Sequence, residues 1–285
     1  MALSGQDIVV GYDDTTASMA AARWAAELAE VLGSDLRLVH AWTWPLVGQG
    51  MQGVPVLDAA GPRNQASRLL DDAAERLAAH RPDLRVTAQL MAGTPREALA
   101  EISEEIALLV VGTRGLGAVL GALLGSVSRG ILHDAGCPVA IIRSDQLRAG
   151  PVLVADDGSA TAAGAVDIAA ELAAAWGVEL RVLHVRAGTA GAAAADDAAG
   201  GADGILERGL ARARAGRDAL EVTGGVLEGR SAAEALLEAA TGARLLVLGH
   251  RGRSRSAVGS TAHATVLHAT GNVMVVRGHG EGAAS

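Results

Sequence analysis

The chain has 285 residues, enough for two domains of ordinary size that each bury a core without disulfides or metals. Half of it is hydrophobic, yet Phe is absent, Tyr occurs once and Trp four times, so Val, Leu, Ile and Ala must build the core, an arrangement suited to helices packed on β-branched strands. The net charge of -8 excludes the broad basic face that nucleic acid or an anionic membrane demands, and the single Cys137 excludes an internal disulfide framework.

Met1 leads straight into Asp7 and a strand-like segment, with neither the basic nor the apolar region of a signal peptide. No apolar run approaches the ~20 residues of a membrane span, and a cytoplasmic location is expected. Ile8-Val9-Val10-Gly11-Tyr12-Asp13 reads as the first strand and its end, followed by a small-residue turn and an Ala-rich helix from Ala17 to Leu32. Asp35 to Ala41 is the second strand, with His40 near its end. In Gly93-Thr94-Pro95-Arg96-Glu97, Thr94 is placed as a helix cap, Pro95 at the first helical position and Glu97 three residues after the cap. Ala107 to Gly112 is a fourth strand, and Gly112-x2-Gly115-x9-Gly125-Ser126 follows it into a helix beginning near Val127. Cys137, read as a small buried residue, precedes Pro138 and a fifth strand from Val139 to Arg143. Ser144 to Gly150 is short and polar, a linker.

Beyond the linker the pattern starts again. Val152-Leu153-Val154-Ala155-Asp156-Asp157 matches the first strand, a helix from Ala160 to Trp176 matches the first helix, and Glu179 to Val185, with His184, matches the second strand. Ala187 to Gly204, nearly all Ala, Gly and Asp, reads as a mobile surface loop. Gly229-Arg230-Ser231-Ala232-Ala233-Glu234 keeps the capping box without the Pro, and Ala243 to Gly252 matches the fourth strand and its loop. Short Val- and Leu-rich runs alternating with helical periodicity indicate a parallel sheet covered on both faces, β-α-β-α-β-α-β-α-β in each half. The domains are expected at 1–145 and 150–278, with a tail at 279–285.

In an open parallel α/β sheet, ligands bind at the carboxyl ends of the strands. The glycine loop after the fourth strand lies there. Glycines let backbone approach an oxygen-rich ligand, a helix start supplies unpaired N–H groups, and Ser126 adds a hydroxyl where a phosphate would rest. The bland alternative is a connection whose only task is tight packing. Asp13 either accepts from a ribose or base, or helps cap the following helix with Asp14 and Thr15, and the duplicated Asp157 favours a function. His40 and His184 read as structural. Gly115-x-Gly117-x3-Gly121 only imitates a dinucleotide fingerprint, because it follows the fourth strand rather than the first. The sequence holds no Walker loop, His-Glu-x2-His, Gly-x-Ser-x-Gly or clustered Cys ligands.

Val-Gly-Tyr-Asp at the first strand, Leu-Val-His-Ala at the second, the Gly-x2-Gly-x9-Gly-Ser loop and Ala135 to Arg143 at the fifth together resemble the universal stress protein family, over nearly the whole chain. The form is similar to the tandem one common in actinobacteria. The resemblance implies two Rossmann-like α/β domains, each an open five-stranded parallel sheet with helices on both faces. It implies ATP, with Mg2+, across the strand ends, and pairing through the fifth strands (Val139 to Arg143 and Val273 to Arg277), either as a homodimer or inside one chain. Carried over, Asp13 contacts the adenosine part, Ala41 borders the adenine, Val111, Gly112 and Gly115 line the nucleotide, and Gly125, Ser126 and Val127 hold the phosphates. The second-half counterparts are Asp157, Val185, Gly249, Gly252, Gly259, Ser260 and Thr261.

The second half departs from that pattern. Six residues, not nine, separate Gly252 from Gly259-Ser260, and the shortened loop holds Arg251, Arg253 and Arg255. Those guanidinium groups either replace lost backbone contacts to phosphate or are a solvated surface of a degenerate site. Asn272 stands where the first half has Pro138, which weakens the second fifth strand as a pairing edge. The function expected is an ATP-dependent sensor or regulator in the stress response. A slow ATPase and a dimerising scaffold that has lost nucleotide binding are the alternatives. No general base or nucleophile is evident, and Asp13-Asp14-Thr15-Thr16 lacks the Ser-Gly-Gly-x-Asp-Ser loop of adenylating relatives.

Overall fold

The computed structural model describes residues 2–42, 60–113, 124–146, 149–187, 200–250 and 259–277. Gly115, Gly117, Gly121, Arg251, Gly252, Arg253 and Arg255, the tail at 279–285 and most of the Ala/Gly stretch after Ala187 lie outside them. The first half runs β1 (Ile8–Gly11), α1 (Thr16–Leu32), β2 (Leu36–Trp42), α2 (Ala60–Ala78), β3 (Val86–Ala92), α3 (Pro95–Ile102), β4 (Leu108–Gly112), α4 (Ser126–Asp134) and β5 (Val139–Ile142). The second repeats it as β6 (Val152–Ala155), α5 (Ala160–Trp176), β7 (Leu180–Ala187), α6 (Gly201–Arg214), β8 (Val222–Gly229), α7 (Ala232–Ala239), β9 (Leu245–Gly249), α8 (Ser260–His268) and β10 (Val273–Val276). The alternation expected from the apolar runs is therefore present twice. The end of the Ala/Gly stretch, from Gly201, belongs to α6 rather than to a loop.

The ten strands form one sheet in the order β3-β2-β1-β4-β5-β10-β9-β6-β7-β8. All pairs are parallel except β5 with β10, where Val139, Ala140 and Ile141 face Val275, Met274 and Val273. The fifth strands thus pair with each other inside one chain, and the two open sheets become continuous. Asn272 strengthens this seam instead of weakening it: its Oδ1 accepts from Arg143 N at 2.8 Å and Ser144 N at 3.2 Å, and its Nδ2 donates to Ser144 O at 3.0 Å. A proline at that position has no side-chain amide to make these bonds.

Strand residues alternate between two apolar layers. Ile8, Val10, Leu108 and Val110 pack with α1, α2, α5 and α6 on one face, while Val9, Leu109, Val111 and Ile141 pack with α3, α4, α7 and α8 on the other. Buried Ala21, Ala22, Ala25, Ala26 and Ala29 let α1 lie close to the sheet, and Ala165, Ala169, Ala170 and Ala173 do the same for α5. Where these helices meet across the seam, Trp24 and Trp176 pack edge to face, ring centroids 6.0 Å apart, with the Arg244 guanidinium 5.1 Å over Trp176.

Helix starts follow the sequence signals. Thr94 and Glu97 form the reciprocal capping box with Pro95 in the first turn. Thr15, Ser159 and Ser231 cap α1, α5 and α7 by accepting from the backbone N–H of Ser18, Ala162 and Glu234.

Candidate functional site

The carboxyl ends of β1, β2 and β4 lie side by side, since Gly11 pairs with both Val39 and Val111. Asp13, Ala41, Val111 and Gly112 occupy this edge. Asp13 is bound into the turn that starts α1: its Oδ1 accepts from Thr15 Oγ1 at 2.6 Å and Thr15 N at 3.3 Å, while its own N–H donates to Ser18 Oγ at 3.3 Å. Asp14 takes a left-handed φ of 60°, which Asp tolerates better than most residues, and the second half has Gly158 there, at 78°. The turn in the second half is built alike. Asp157 Oδ1 accepts from Ser159 N at 3.0 Å, and Ser159 caps α5.

The second half encloses a cavity of about 300 Å³ at the ends of β6 and β9. It is lined by the carboxylates of Asp156 and Asp157, by apolar Leu183, Val185, Leu236 and Leu248, and by Gly249 with Gly259, Ser260 and Thr261 at the start of α8. Six of the seven residues expected in this half therefore line one space, and the seventh, Gly252, lies outside the described residues. In the first half Gly125 N donates to Thr113 O at 2.7 Å, bringing the two ends of the glycine loop together. The second half repeats the bond from Gly259 N to His250 O at 2.9 Å.

Gly112 and Gly249 answer first to packing. A Cβ on Gly112 would stand 2.7 Å from the backbone of Ala17, and one on Gly249 3.2 Å from the backbone of Ala162. Each strand end is pressed against the first turn of the helix that opens its half. Gly125 and Gly259 act differently. Both have extended-side dihedrals, φ -66° and -55°, so neither needs glycine for a left-handed turn, and neither supplies a side-chain cap. Helices α4 and α8 therefore open with peptide N–H groups that no capping side chain satisfies, whereas α1, α3, α5 and α7 are capped by Thr or Ser.

Two residues stand at equivalent positions of the two halves and differ. Tyr12 is buried, and burial, then the hydrogen bond it donates to Asp14 Oδ1 at 3.0 Å, push its phenol up to about 12. Asp156 takes that place in the second half. It is buried, and loss of solvent raises its carboxyl above the ordinary range, against the lowering effect of the Gly158 N–H that it accepts at 2.8 Å. Gly209 on α6 leaves room for its Oδ2, which a Cβ there would meet at 2.5 Å. Of the doubled Asp156-Asp157, only the second is singled out by alignment with Asp13. The first is distinguished by burial, which no sequence pattern here signals.

The duplicated histidines have one task in common. Nδ1 of His40 lies 2.8 Å from Tyr12 O, and Nδ1 of His184 lies 2.8 Å from Asp156 O, tying each second strand to the turn after its neighbour. Cys137 is buried, and burial pushes its thiol up to about 12. No described helix is long and apolar enough to cross a membrane. Among the described residues no group of three or more His, Cys, Asp or Glu side chains is placed to hold a metal.

Two Rossmann-like units, each with an uncapped helix start at the strand ends, define a tandem α/β protein with one candidate ligand site per half. The sequence profile of the Universal stress protein family matches residues 5–143 and 149–277, and the chain belongs to this family. It is similar to the universal stress protein Rv2005c of Mycobacterium tuberculosis, 37% identical over 188 residues, which cover 62% of this chain and 63% of that one. The aligned part is thus less than two thirds of that relative's length. A crystal structure of a universal stress protein from Archaeoglobus fulgidus has the same fold, with a TM-score of 0.71 at 21% identity, covering 96% of this chain and 97% of that one. A universal stress protein solved in complex with cAMP is 28% identical, aligns with 46% of this chain and 98% of its own, and has a TM-score of 0.36.

Proposed function

We propose that this chain is a cytoplasmic, nucleotide-dependent regulator of the stress response that binds ATP, accompanied by Mg2+, at the strand ends of each half. The observation that carries the reading is the second-half cavity of about 300 Å³, in which Asp157, Val185, Gly249, Gly259, Ser260 and Thr261 converge. Its volume is at the low end of small-ligand pockets. Its walls are sorted chemically as a nucleotide requires: carboxylates for sugar hydroxyls, aliphatic side chains for a base, and an uncapped helix start for phosphate. The first half supplies the same parts in Asp13, Ala41, Val111, Gly112, Gly125, Ser126 and Val127. Mg2+ fits as the phosphates' counter-ion, since it keeps most of its waters and needs few protein ligands.

The test is stoichiometry followed by rebinding. Nucleotide released from denatured protein is identified by mass spectrometry and counted per chain, and the stripped chain is then titrated with ATP and Mg2+ while its melting is followed. Ligand at 100 times its dissociation constant adds about 2.7 kcal/mol, a plain shift of the melting curve. Gly125→Leu and Gly259→Leu each remove one equivalent. The absence of both binding heat and a melting shift at millimolar ATP would sink the proposal.

A further inference from the structure

Helix α4 has a candidate ligand site at each end. Its first residues, Ser126 and Val127 behind the uncapped Gly125, belong to the first-half site. Its last turn crosses the seam: Leu132 O accepts from His250 Nε2 at 2.9 Å, and His133 O accepts from the Arg277 guanidinium. His250 follows Gly249 directly. Its backbone N–H is fixed to Val276 O at 2.7 Å, and its carbonyl holds the N–H of Gly259, the residue that opens α8 in the second-half cavity. Nine residues at about 1.5 Å each make α4 a rod of roughly 13 Å, with Gly125 at its start and the His250 contact in its last turn.

The opposite direction has a matching path. Arg143, which stands in the first half where Arg277 stands in the second, sends its guanidinium to Val266 O in the last turn of α8 and to Gly271 O at 3.4 Å. Its backbone N–H is held by Asn272. Each half therefore places a cation on the carbonyl end of the other half's final helix, where the helix dipole favours one. Only the second half adds a ring nitrogen from the loop itself, since Thr113 stands at the position of His250.

We infer that the two candidate sites are coupled through α4 and His250, so that ligand at the first loop strengthens binding at the second. The inference rests on the nucleotide reading of both loops. Phosphate on the start of α4 restrains the helix, whose last turn then holds His250, and with it the Gly259 N–H, in the position that the second site needs. The ordering is done once for both ligands, which gives positive cooperativity, and by linkage the effect is equal in the two directions. His250 is a positioning residue. Its ring points across the seam and acts through its own backbone.

The experiment is calorimetric titration of the stripped full-length chain with ATP and Mg2+, with melting followed on the same samples. Wild type is expected to take two equivalents, the second at least about fivefold tighter than independent sites allow. Gly125→Leu takes one equivalent, about fivefold weaker than the second site of wild type. His250→Ala takes two equivalents with independent constants, and His250→Gln, which keeps an N–H donor, restores part of the ratio. Two independent equivalents in wild type, or an unchanged ratio in His250→Ala, overturn the coupling and leave the nucleotide reading standing. One equivalent in wild type overturns the coupling and the claim that both halves bind, and leaves nucleotide binding by one half standing. No binding at all overturns both.

Discussion

Replacing Gly112 by Ala tests the packing role of this glycine apart from its proposed ligand role. The new Cβ would lie 2.7 Å from both the carbonyl carbon and the oxygen of Ala17 and 3.1 Å from its Cβ, and two of those three atoms are backbone. Backbone in the first turn of α1 cannot swing aside as a side-chain tip can. Gly112 itself is held by Ser128 Oγ, which donates to its carbonyl at 2.8 Å. Overpacking of this kind costs about 3 kcal/mol, and the reduced freedom of the unfolded chain returns only about 0.4–1 kcal/mol. At about 2 °C per kcal/mol for a chain this long, stripped Gly112→Ala melts about 5 °C below wild type. Gly249→Ala is the internal control. Its nearest contact is 3.2 Å, so a shift of a few tenths of an ångström relieves it, and its melting stays within about 2 °C of wild type. Thermal unfolding of both variants by circular dichroism, without nucleotide, reads the difference. Equal shifts, or a Gly112→Ala chain that melts like wild type and merely loses ATP, would refute the packing account.

Asp156→Asn should stabilise the chain at neutral pH. Burial raises this carboxyl, so the folded state binds more protons at this site than the unfolded chain above the ordinary carboxylate range; the contribution of Asp156 to stability is greatest below that range and is lost as pH rises through the folded value. The amide keeps an acceptor for Gly158 N–H, so the melting gap over wild type is open at pH 7 and closes toward pH 3.8; a gap that is constant with pH contradicts the assignment. Asn272→Ala strands the N–H groups of Arg143 and Ser144 at the seam and should cost about 1–3 kcal/mol in urea unfolding, with an unchanged midpoint as the adverse result. Cys137, with its thiol near 12, carries on the order of 10⁻⁴ thiolate at pH 8 and should react with a disulfide reagent about a thousandfold more slowly in native protein than in urea; prompt native labelling would show the thiol to be accessible.

Much of the fold was legible because its signals are local. The Thr94-Pro95-Glu97 start, the α5 limits at Ala160 and Trp176 and eight of the ten strands follow from capping chemistry and apolar runs a few residues long, while the third strand of each half, Val86–Ala92 and Val222–Gly229, carries no such run. The duplication added a second, independent reading of each element. Residues of the candidate site were legible as a set, because the strand ends of an open parallel sheet converge by topology, and six of seven second-half positions do line one cavity. What was not legible depends on residues far apart in sequence. Asn272 looked like a defect beside Pro138, and its value is apparent only when Arg143 and Ser144, 129 and 128 positions away, are seen to donate to it. His250 carries no motif, and its bond to Leu132 spans 118 positions. Gly112, taken as a ligand residue, is also pressed against Ala17, a contact between the fourth strand and the first helix.

Fusion of the two copies explains why the surprises cluster at the seam. In a dimer of identical chains, a two-fold interface sets the same residue on both sides, so every seam position must serve two symmetric roles at once. A tandem chain is released from that constraint. Arg143 and Arg277 have kept the symmetric arrangement, each crossing to the last turn of the other half's final helix. Asn272 and His250 have not. Opposite them stand Pro138 and Thr113, so the second half carries the side chains that reach across and the first half supplies backbone to receive them. The halves are thus no longer interchangeable: a chain made of two first halves would pair β5 with β5 but would lack the Asn272 bonds at one end of the seam and the His250 bond beside the loop.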